Sequence, residues 1–255
     1  MSESSERVPV YLVIGAAGGI GSEVCRRLSD QGARLALAGR TLEPLDELGD
    51  SLGTQSVRFQ CDARQVEQVD DLFAKVVEQY GRIDGVANMA GSILLKPAHL
   101  TTVDEWHETI ATNLTSAFAV VRAAGKHMRG NDDPGGSVVL MSTCAARIGL
   151  SNHEAIAAAK AGVIGLTQAA AASYSSNKLR FNCVAPGLIE TSLSQKITGN
   201  PAALQASVAM HPLGRIGTPR DIAPAVVWLL TSESAFVTGQ TIGVDGGLAT
   251  VKTRR

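Results

Sequence analysis

The sequence predicts a doubly wound α/β fold, a parallel sheet of seven strands with helices on both faces. Three observations predict it. Short β-branched or aliphatic runs alternate with longer segments of helical period along the chain, the order that builds strand–helix–strand units. Most of these runs are apolar continuously rather than at every second residue, as strands covered on both faces must be. The helical segments stop at glycines, which accept the left-handed conformation that ends a helix.

In order, the strands are expected at VYLVI (10–14), RLALA (34–38), SVRFQ (56–60), GVAN (85–88), SVVLM (137–141), RFNCVA (180–185) and TIGVD (241–245). Between them, segments such as SEVCRRLSDQG (22–32) and VDDLFAKVVEQYG (69–81) repeat apolar residues at three and four and end in glycine, so they read as amphipathic helices. Such an alternation implies right-handed crossovers and a parallel sheet. No linker and no internal repeat divides the 255 residues, and α/β domains of this size fold as one unit. One domain over 1–255 is expected, with the polar ends 1–8 and 250–255 frayed.

Composition excludes several function classes. Apolar residues make up 45% and charged residues 18% of the chain, enough for a sizeable, mostly aliphatic core. Lys+Arg 23 against Asp+Glu 24 leaves no basic stripe for a nucleic acid. Cys25, Cys61, Cys144 and Cys183 form no CxxC pair, so neither a zinc site nor a disulfide framework is expected. His99, His107, His127 and His211 have no metal-ligand spacing. No 18-residue apolar run and no signal-like opening is found, and a cytoplasmic location without membrane partners is expected.

The first chemistry lies in IGAAGGIGSEV, where Gly15, Gly19 and Gly21 fall between a strand and a helix. Missing side chains there let the backbone turn sharply and let a pyrophosphate approach a helix N-terminus; the plain alternative is a tight turn of small residues. The spacing is GxxxGxG rather than GxGxxG. At the end of the second strand, where a carboxylate would hold the ribose of NAD, stand Gly39 and Arg40. A guanidinium pairs with a 2′-phosphate through a charge-assisted fork, which favours NADP(H) over NAD(H), although Arg40 serves equally as a solvated loop residue. Asp62, just past the third strand, either accepts from the adenine amino group or caps the next helix.

The glycine turn, NMAG (88–91), NL (113–114), Lys160, VAPGLIET (184–191), GRIGTPRDIA and VTGQTIGVDGG stand in the order of a known family. Over nearly its whole length the chain resembles the short-chain dehydrogenases/reductases. The resemblance implies a Rossmann-type domain, NAD(P) as hydride carrier and commonly a homotetramer. It also implies that Ile20, Asn88, Ala90 and Gly91 flank the cofactor, that Pro186 and Gly187 lie by the nicotinamide, and that Thr191 meets its carboxamide or the phosphates.

The departures bear on chemistry. Members of the family use asparagine, serine, tyrosine and lysine, with the tyrosine four residues before the lysine. Here Asn113 and Lys160 match, Thr143 stands for the serine, Ile156 stands for the tyrosine, and Ile14 replaces the threonine that usually opens the glycine motif. Thr143 keeps a hydroxyl for the substrate, and Lys160 can still hold the nicotinamide ribose. Ile156 offers no proton, and losing a general acid removes a factor of roughly 10² to 10⁴.

Another donor is conceivable. His153 lies seven residues before Lys160, two helical turns away on the same face, a spacing similar to that of bacterial enoyl-acyl-carrier-protein reductases. Its other reading is a histidine at a helix start capped by Ser151 or Asn152. Arg147 is a surface residue unless the substrate is anionic, and Tyr11 and Tyr174 are poorly located stand-ins. The alanine-rich AIAAAKAGVIGL either packs between subunits, as the resemblance implies, or seats its helix on the sheet. The segment after Thr191, with Met210 and its leucines, is expected to cover an apolar pocket.

The expected function is an NADP(H)-dependent oxidoreductase with an atypical proton-donor site. Its substrate would be small and apolar, an activated carbonyl, enoyl, iminium or quinone-like compound. The alternative is a catalytically impaired NADP(H)-binding scaffold or sensor.

Overall fold

The computed structural model describes residues 7–130 and 135–252. Strands β1 (Val10–Ile14), β2 (Arg34–Gly39), β3 (Ser56–Gln60), β4 (Gly85–Asn88), β5 (Gly136–Met141), β6 (Leu179–Pro186) and β7 (Thr241–Val244) form one sheet in the order β3-β2-β1-β4-β5-β6-β7. Every neighbouring pair is parallel. Helices α1 (Gly19–Asp30), α2 (Glu43–Ser51), α3 (Val66–Tyr80), α4 (Val103–Ile110), α5 (Ser116–His127), α6 (Glu154–Tyr174), α7 (Gln195–Thr198), α8 (Pro201–Met210) and α9 (Pro219–Leu230) fill the connections.

Continuous apolarity in the strands has the expected cause, because successive side chains enter two separate cores. On β1, Leu12 and Ile14 pack with Phe73 of α3, Val120 of α5 and Val163 of α6, whereas Tyr11 and Val13 pack with Leu28 of α1, Leu45 of α2 and Val226 of α9. Each fully buried aliphatic side chain contributes about 1.5–3 kcal/mol of transfer free energy, so neither face tolerates a polar residue at these positions. The four thiols are buried and free, and burial pushes Cys25 up to about 12 and Cys61 and Cys144 up to about 11. They are packing groups rather than thiolates.

Strand ends depart from expectation by single residues, for local reasons. Gly39 extends β2 because it pairs with Gln60. Asp245 leaves β7 because its carboxylate accepts from the N–H groups of Gly247 and Ala249 and turns the chain. The glycine stops are where they were expected: Gly32 and Gly81 take φ of 77° and 80° after α1 and α3. Of the ends expected to fray, 1–6 and 253–255 lie outside the described residues; Arg7 pairs with Asp84 at 3.1 Å and the Val251 N–H donates to Gly247 O at 2.8 Å.

Chain order reverses between β1 and β4, which lie side by side but lead to opposite edges of the sheet. In open α/β sheets such a switch point leaves a crevice beyond the carboxyl ends of the strands. Ile14 is in register with both Ala38 and Asn88, so the turns after β1, β2 and β4 emerge together there. The residues that follow them, Gly15, Gly39 and Met89, line one cleft.

No uninterrupted apolar run reaches 18 residues in helix α6 either, since Lys160, Thr167 and Gln168 break it. The stretch Glu154–Asn177 is still long and apolar enough on average to cross a membrane by length and composition alone, with 44% of its 18-residue apolar window buried inside the fold. It is also a packed helix of the sheet, with Val163 in the core and Lys160 buried. A helix apolar on all sides is ordinarily covered on all sides, and the face bearing Ala158, Ala161, Gly165 and Ala169 is exposed.

Candidate active site

At the carboxyl ends of β1, β2, β3 and β4 lies a cleft of about 280 Å³, lined by Gly15, Gly19, Ile20, Gly21, Gly39, Arg40, Asp62, Ala90, Gly91 and Thr191 among others. Two of its glycines leave little room for a side chain. Gly15 has φ 76°, and a Cβ there would lie 2.9 Å from the Ala90 nitrogen; one on Gly19 would lie 2.8 Å from Thr191 Cγ2. Helix α1 begins after Gly18 with no side-chain cap, so its first amides are free to meet an anion. This cradle fits the pyrophosphate of a dinucleotide.

At the far end of the cleft, Arg40 is exposed beside Gly39. Asp62 lines the wall, and it does not cap a helix: Gln65 occupies the N-cap of α3, without a side-chain cap bond. The Asp62 carboxylate instead accepts from Arg64 Nε at 3.0 Å, from Arg64 Nη2 at 2.6 Å and from the Arg64 backbone N–H at 3.0 Å. Those bonds hold its carboxyl below the usual range. Arg64 also donates to Glu108 of α4 at 2.7 Å, tying the β3–α3 turn to that helix. Sequence reasoning missed Arg64, although it stands in the CDAR segment; nothing local reveals a partner 44 residues away.

A second cavity, of about 160 Å³, opens from the first and shares Ile20, Met89, Ala90, Gly91, Thr191 and Leu193 with it. Asn113, Ser142, Thr143, Ile156, Lys160, Pro186 and Gly187 complete much of its wall. The family-like residues Asn113, Thr143 and Lys160 are therefore brought together, with Ile156 beside them. Asn88 lies behind the wall, its Oδ1 accepting from the Ala90 N–H at 3.2 Å.

Asn113 reaches the cavity through a break in helical geometry. Residues Ala111–Thr115 form a π-helical turn between α4 and α5, a widening common at functional sites. The side chain is 1% exposed and is held at both ends. Its Nδ2 donates to Ser92 Oγ at 2.9 Å and to Thr109 O at 3.0 Å, and its Oδ1 accepts from the Ser92 N–H at 3.1 Å.

Lys160 is 7% exposed. Its Nζ donates to Met141 O at 2.8 Å, and its backbone carbonyl accepts from Ser142 Oγ at 2.9 Å. Among the described residues no carboxylate pairs with it, and burial lowers its pKa to about 8, with Cys183 acting in the opposite sense.

His153 is not brought to this wall. The residue is itself the N-cap of α6 and makes no side-chain cap bond, where Ser151 or Asn152 was expected. Asn152 adopts φ 64°, a left-handed conformation open to asparagine, which delays entry into the helix by one residue. The His153 ring then turns back, with Nδ1 2.7 Å from Ser151 O. Arg147 is exposed and lies over Gly243, outside the cavity wall. Tyr174 stacks at 5.6 Å on Phe181, and Tyr11 sits in the α1/α9 core.

Two features of the covering segment were not foreseen. Met210 faces a separate groove with Ile148, Leu150 and Leu248, so the apolar signal from that residue belongs elsewhere; Leu193 and Ser194 do line the cavity. His211 is buried, with Nδ1 2.7 Å from Ser207 O and Nε2 accepting from the Leu188 N–H at 3.2 Å. The two contacts fit a neutral ring protonated at Nδ1, clamping the end of α8 to the Pro186–Gly187 loop. Among the described residues no cluster could hold a metal ion.

Comparison with known proteins agrees with this geometry. The family model described as Enoyl-(Acyl carrier protein) reductase matches residues 15–249. The chain is 33% identical over 241 residues to a D-threitol dehydrogenase of Mycolicibacterium smegmatis, covering 93% of this chain and 92% of that one. It is 34% identical over 244 residues to the 3-oxoacyl-[acyl-carrier-protein] reductase FabG of Thermotoga maritima, covering 94% and 97%. Among solved structures, levodione reductase superposes with a TM-score of 0.91 at 26% identity, covering 96% of this chain and all of that one. ElxO with NADP bound superposes with a TM-score of 0.89 at 26% identity, over the same shares.

Proposed function

Since the chain belongs to the short-chain dehydrogenase/reductase family, we propose that it is an NADP(H)-dependent oxidoreductase with an altered proton-donor site, acting on a small apolar acceptor. The observation that carries this reading is the continuity of the dinucleotide-shaped cleft with a cavity whose wall retains Asn113, Thr143 and Lys160 but presents Ile156 at the donor position. A reduced nicotinamide supplies hydride. Every other function falls to the chain: the glycine turn and α1 receive the pyrophosphate, Lys160 holds the nicotinamide ribose, Asn113 fixes the wall and Thr143 orients the acceptor oxygen. The apolar lining excludes water.

Hydride transfer to a simple ketone leaves a strongly basic alkoxide, and without a phenol this step loses most of its assistance. Quinones, conjugated diketones, enones and iminium ions yield weakly basic or neutral products, so they are the acceptor classes proposed. The opposing reading, a scaffold that binds NADPH without turnover, is favoured by Ile156 alone. Fluorescence titration with NADPH, followed by consumption assays on an ortho-quinone, a cyclic diketone, a cyclic enone and a cyclic imine, separates the two. Binding with no turnover on any acceptor selects the scaffold, and turnover abolished in His153→Ala would return the histidine to the donor role.

Cofactor choice rests on Arg40, and the neighbour with NADP bound supports it by analogy. A charge-assisted bond contributes about 1.5–3 kcal/mol. Arg40→Ala is therefore expected to weaken NADPH binding about 10- to 150-fold while changing NADH affinity little. Equal losses for both cofactors would sink the assignment.

A cytoplasmic homo-oligomer, a tetramer by family resemblance, is part of the same proposal. Ala158, Ala161, Gly165 and Ala169 repeat at three and four along the exposed face of α6, and Phe118 of α5 is 48% exposed. Close helix packing through small residues would cover this face. Light scattering should give a multiple of the 26.5 kDa chain mass, and Ala161→Arg should reduce it; an unchanged mass would exclude α6 as the interface.

A further inference from the structure

With Ile156 in the tyrosine position, the oxidoreductase reading leaves the proton unassigned. A donor must reach the acceptor and must carry a proton not already committed. Among the described residues lining the catalytic cavity, Lys160 is the one side chain with an ordinary acid–base equilibrium in water. The other polar lining groups are hydroxyls and the Asn113 amide. Ile156 stands one helical turn before Lys160 and is apolar, so no acid intervenes between the ammonium and the cavity.

The surroundings leave Nζ accessible. Gly91 also lines this cavity, and a Cβ there would lie 3.4 Å from Lys160 Nζ and 3.2 Å from Asn113 Oδ1, so the glycine leaves extra room beside the ammonium. Of the three N–H bonds of the ammonium, one goes to Met141 O. One of the remaining two suffices for a ribose hydroxyl, and the other is free for an acceptor.

We propose that Lys160 itself is the proton donor, acting directly on the acceptor oxygen. The proposal rests on the oxidoreductase reading. The hydride of the reduced nicotinamide forms the new C–H bond, and the C=O π pair moves to oxygen. The Nζ–H bond breaks as the O–H bond forms, and the neutral amine left behind takes a proton from water.

Burial tunes the group for this task. A lysine brought near 8 by desolvation is close to the working range of a general acid, and this one stands at about 8. The elements packed around it supply little opposing charge: β6 contributes the Cys183 thiol, β5 the Met141 carbonyl and the π-helical turn the neutral Asn113. Reduction needs the protonated form, so its rate falls as pH rises through about 8.

Two measurements test the assignment. In the cofactor-free protein labelled with 13C-lysine, the Lys160 Cε signal, assigned by its loss in Lys160→Gln, is expected to titrate near 8. Titration above 10, with the exposed lysines, overturns the proposal. Kinetics then use the panel acceptor that the wild-type protein reduces. Lys160→Arg keeps a cation for the ribose but has no readily lost proton. It should bind NADPH within threefold of wild type, lose at least 100-fold in kcat, and lose the alkaline limb near 8. Retained kcat in an NADPH-binding Lys160→Arg overturns the donor assignment and leaves the oxidoreductase reading standing. Absence of turnover by the wild-type protein on every acceptor overturns both.

Discussion

Ile156→Tyr is expected to raise NADPH-dependent reduction of a simple ketone by at least tenfold, and toward the 10² to 10⁴ that a positioned general acid supplies. Ile156 is 5% exposed, lines the catalytic cavity and precedes Lys160 by one helical turn, so side chains at the two positions share a face. A phenol there adjoins a buried ammonium, which lowers its pKa, and the roughly 160 Å³ of adjoining cavity accepts the larger ring.

The same variant separates steric from chemical explanations of the natural residue. If Lys160 donates the proton in the wild-type protein, the phenol takes over that step in Ile156→Tyr. The gain should then be largest for ketones with strongly basic products and small for quinones. The check is kcat/KM on a cyclic ketone and an ortho-quinone with NADPH. A folded, NADPH-binding variant without gain on either would mean that the cavity around Thr143 no longer orients a carbonyl for hydride.

The difference between what the sequence reveals and what it hides follows the range of the interactions. Strands such as VYLVI were legible because their continuous apolarity reports two covered faces, a property each strand carries by itself. The glycine turn was legible because strand, small residues and helix follow one another in the chain. Asn113, Thr143 and Lys160 were found through spacing and resemblance. By contrast, the π-helical turn that delivers Asn113 has no local signature in ATNLT. The Arg64 fork depends on Glu108 from another helix, and the His211 clamp on Leu188 from another loop. His153 shows the limit of helical geometry applied to sequence: seven residues before Lys160 shares its face only if the helix has already begun, and the left-handed Asn152 starts it at 154.

Gly21→Ala is expected to reduce NADPH affinity at least 100-fold, about 2.7 kcal/mol, while lowering stability less, by no more than about 2 kcal/mol. An alanine Cβ at this position would lie 2.2 Å from Gly15 O and 2.9 Å from Ala16 O. Both are backbone atoms of the turn that forms the cradle, so no flexible side chain can give way. Either α1 or the turn must move, and each move displaces the amides proposed to meet the pyrophosphate from the pocket they share with Gly15 and Gly19. The folding penalty is smaller because two effects oppose. Overpacking costs about 1–3 kcal/mol, and alanine in a helix recovers about 1 kcal/mol relative to glycine. For a chain of this size the net corresponds to a fall in Tm of less than about 8 °C. Gly53→Ala supplies the control, since a Cβ there meets nothing within 4 Å; its NADPH affinity should match wild type. Fluorescence titration together with thermal unfolding reads both effects. A folded Gly21→Ala that binds NADPH within threefold of wild type would show that the anion is not held at this turn, and the dinucleotide assignment of the cleft would fail with it.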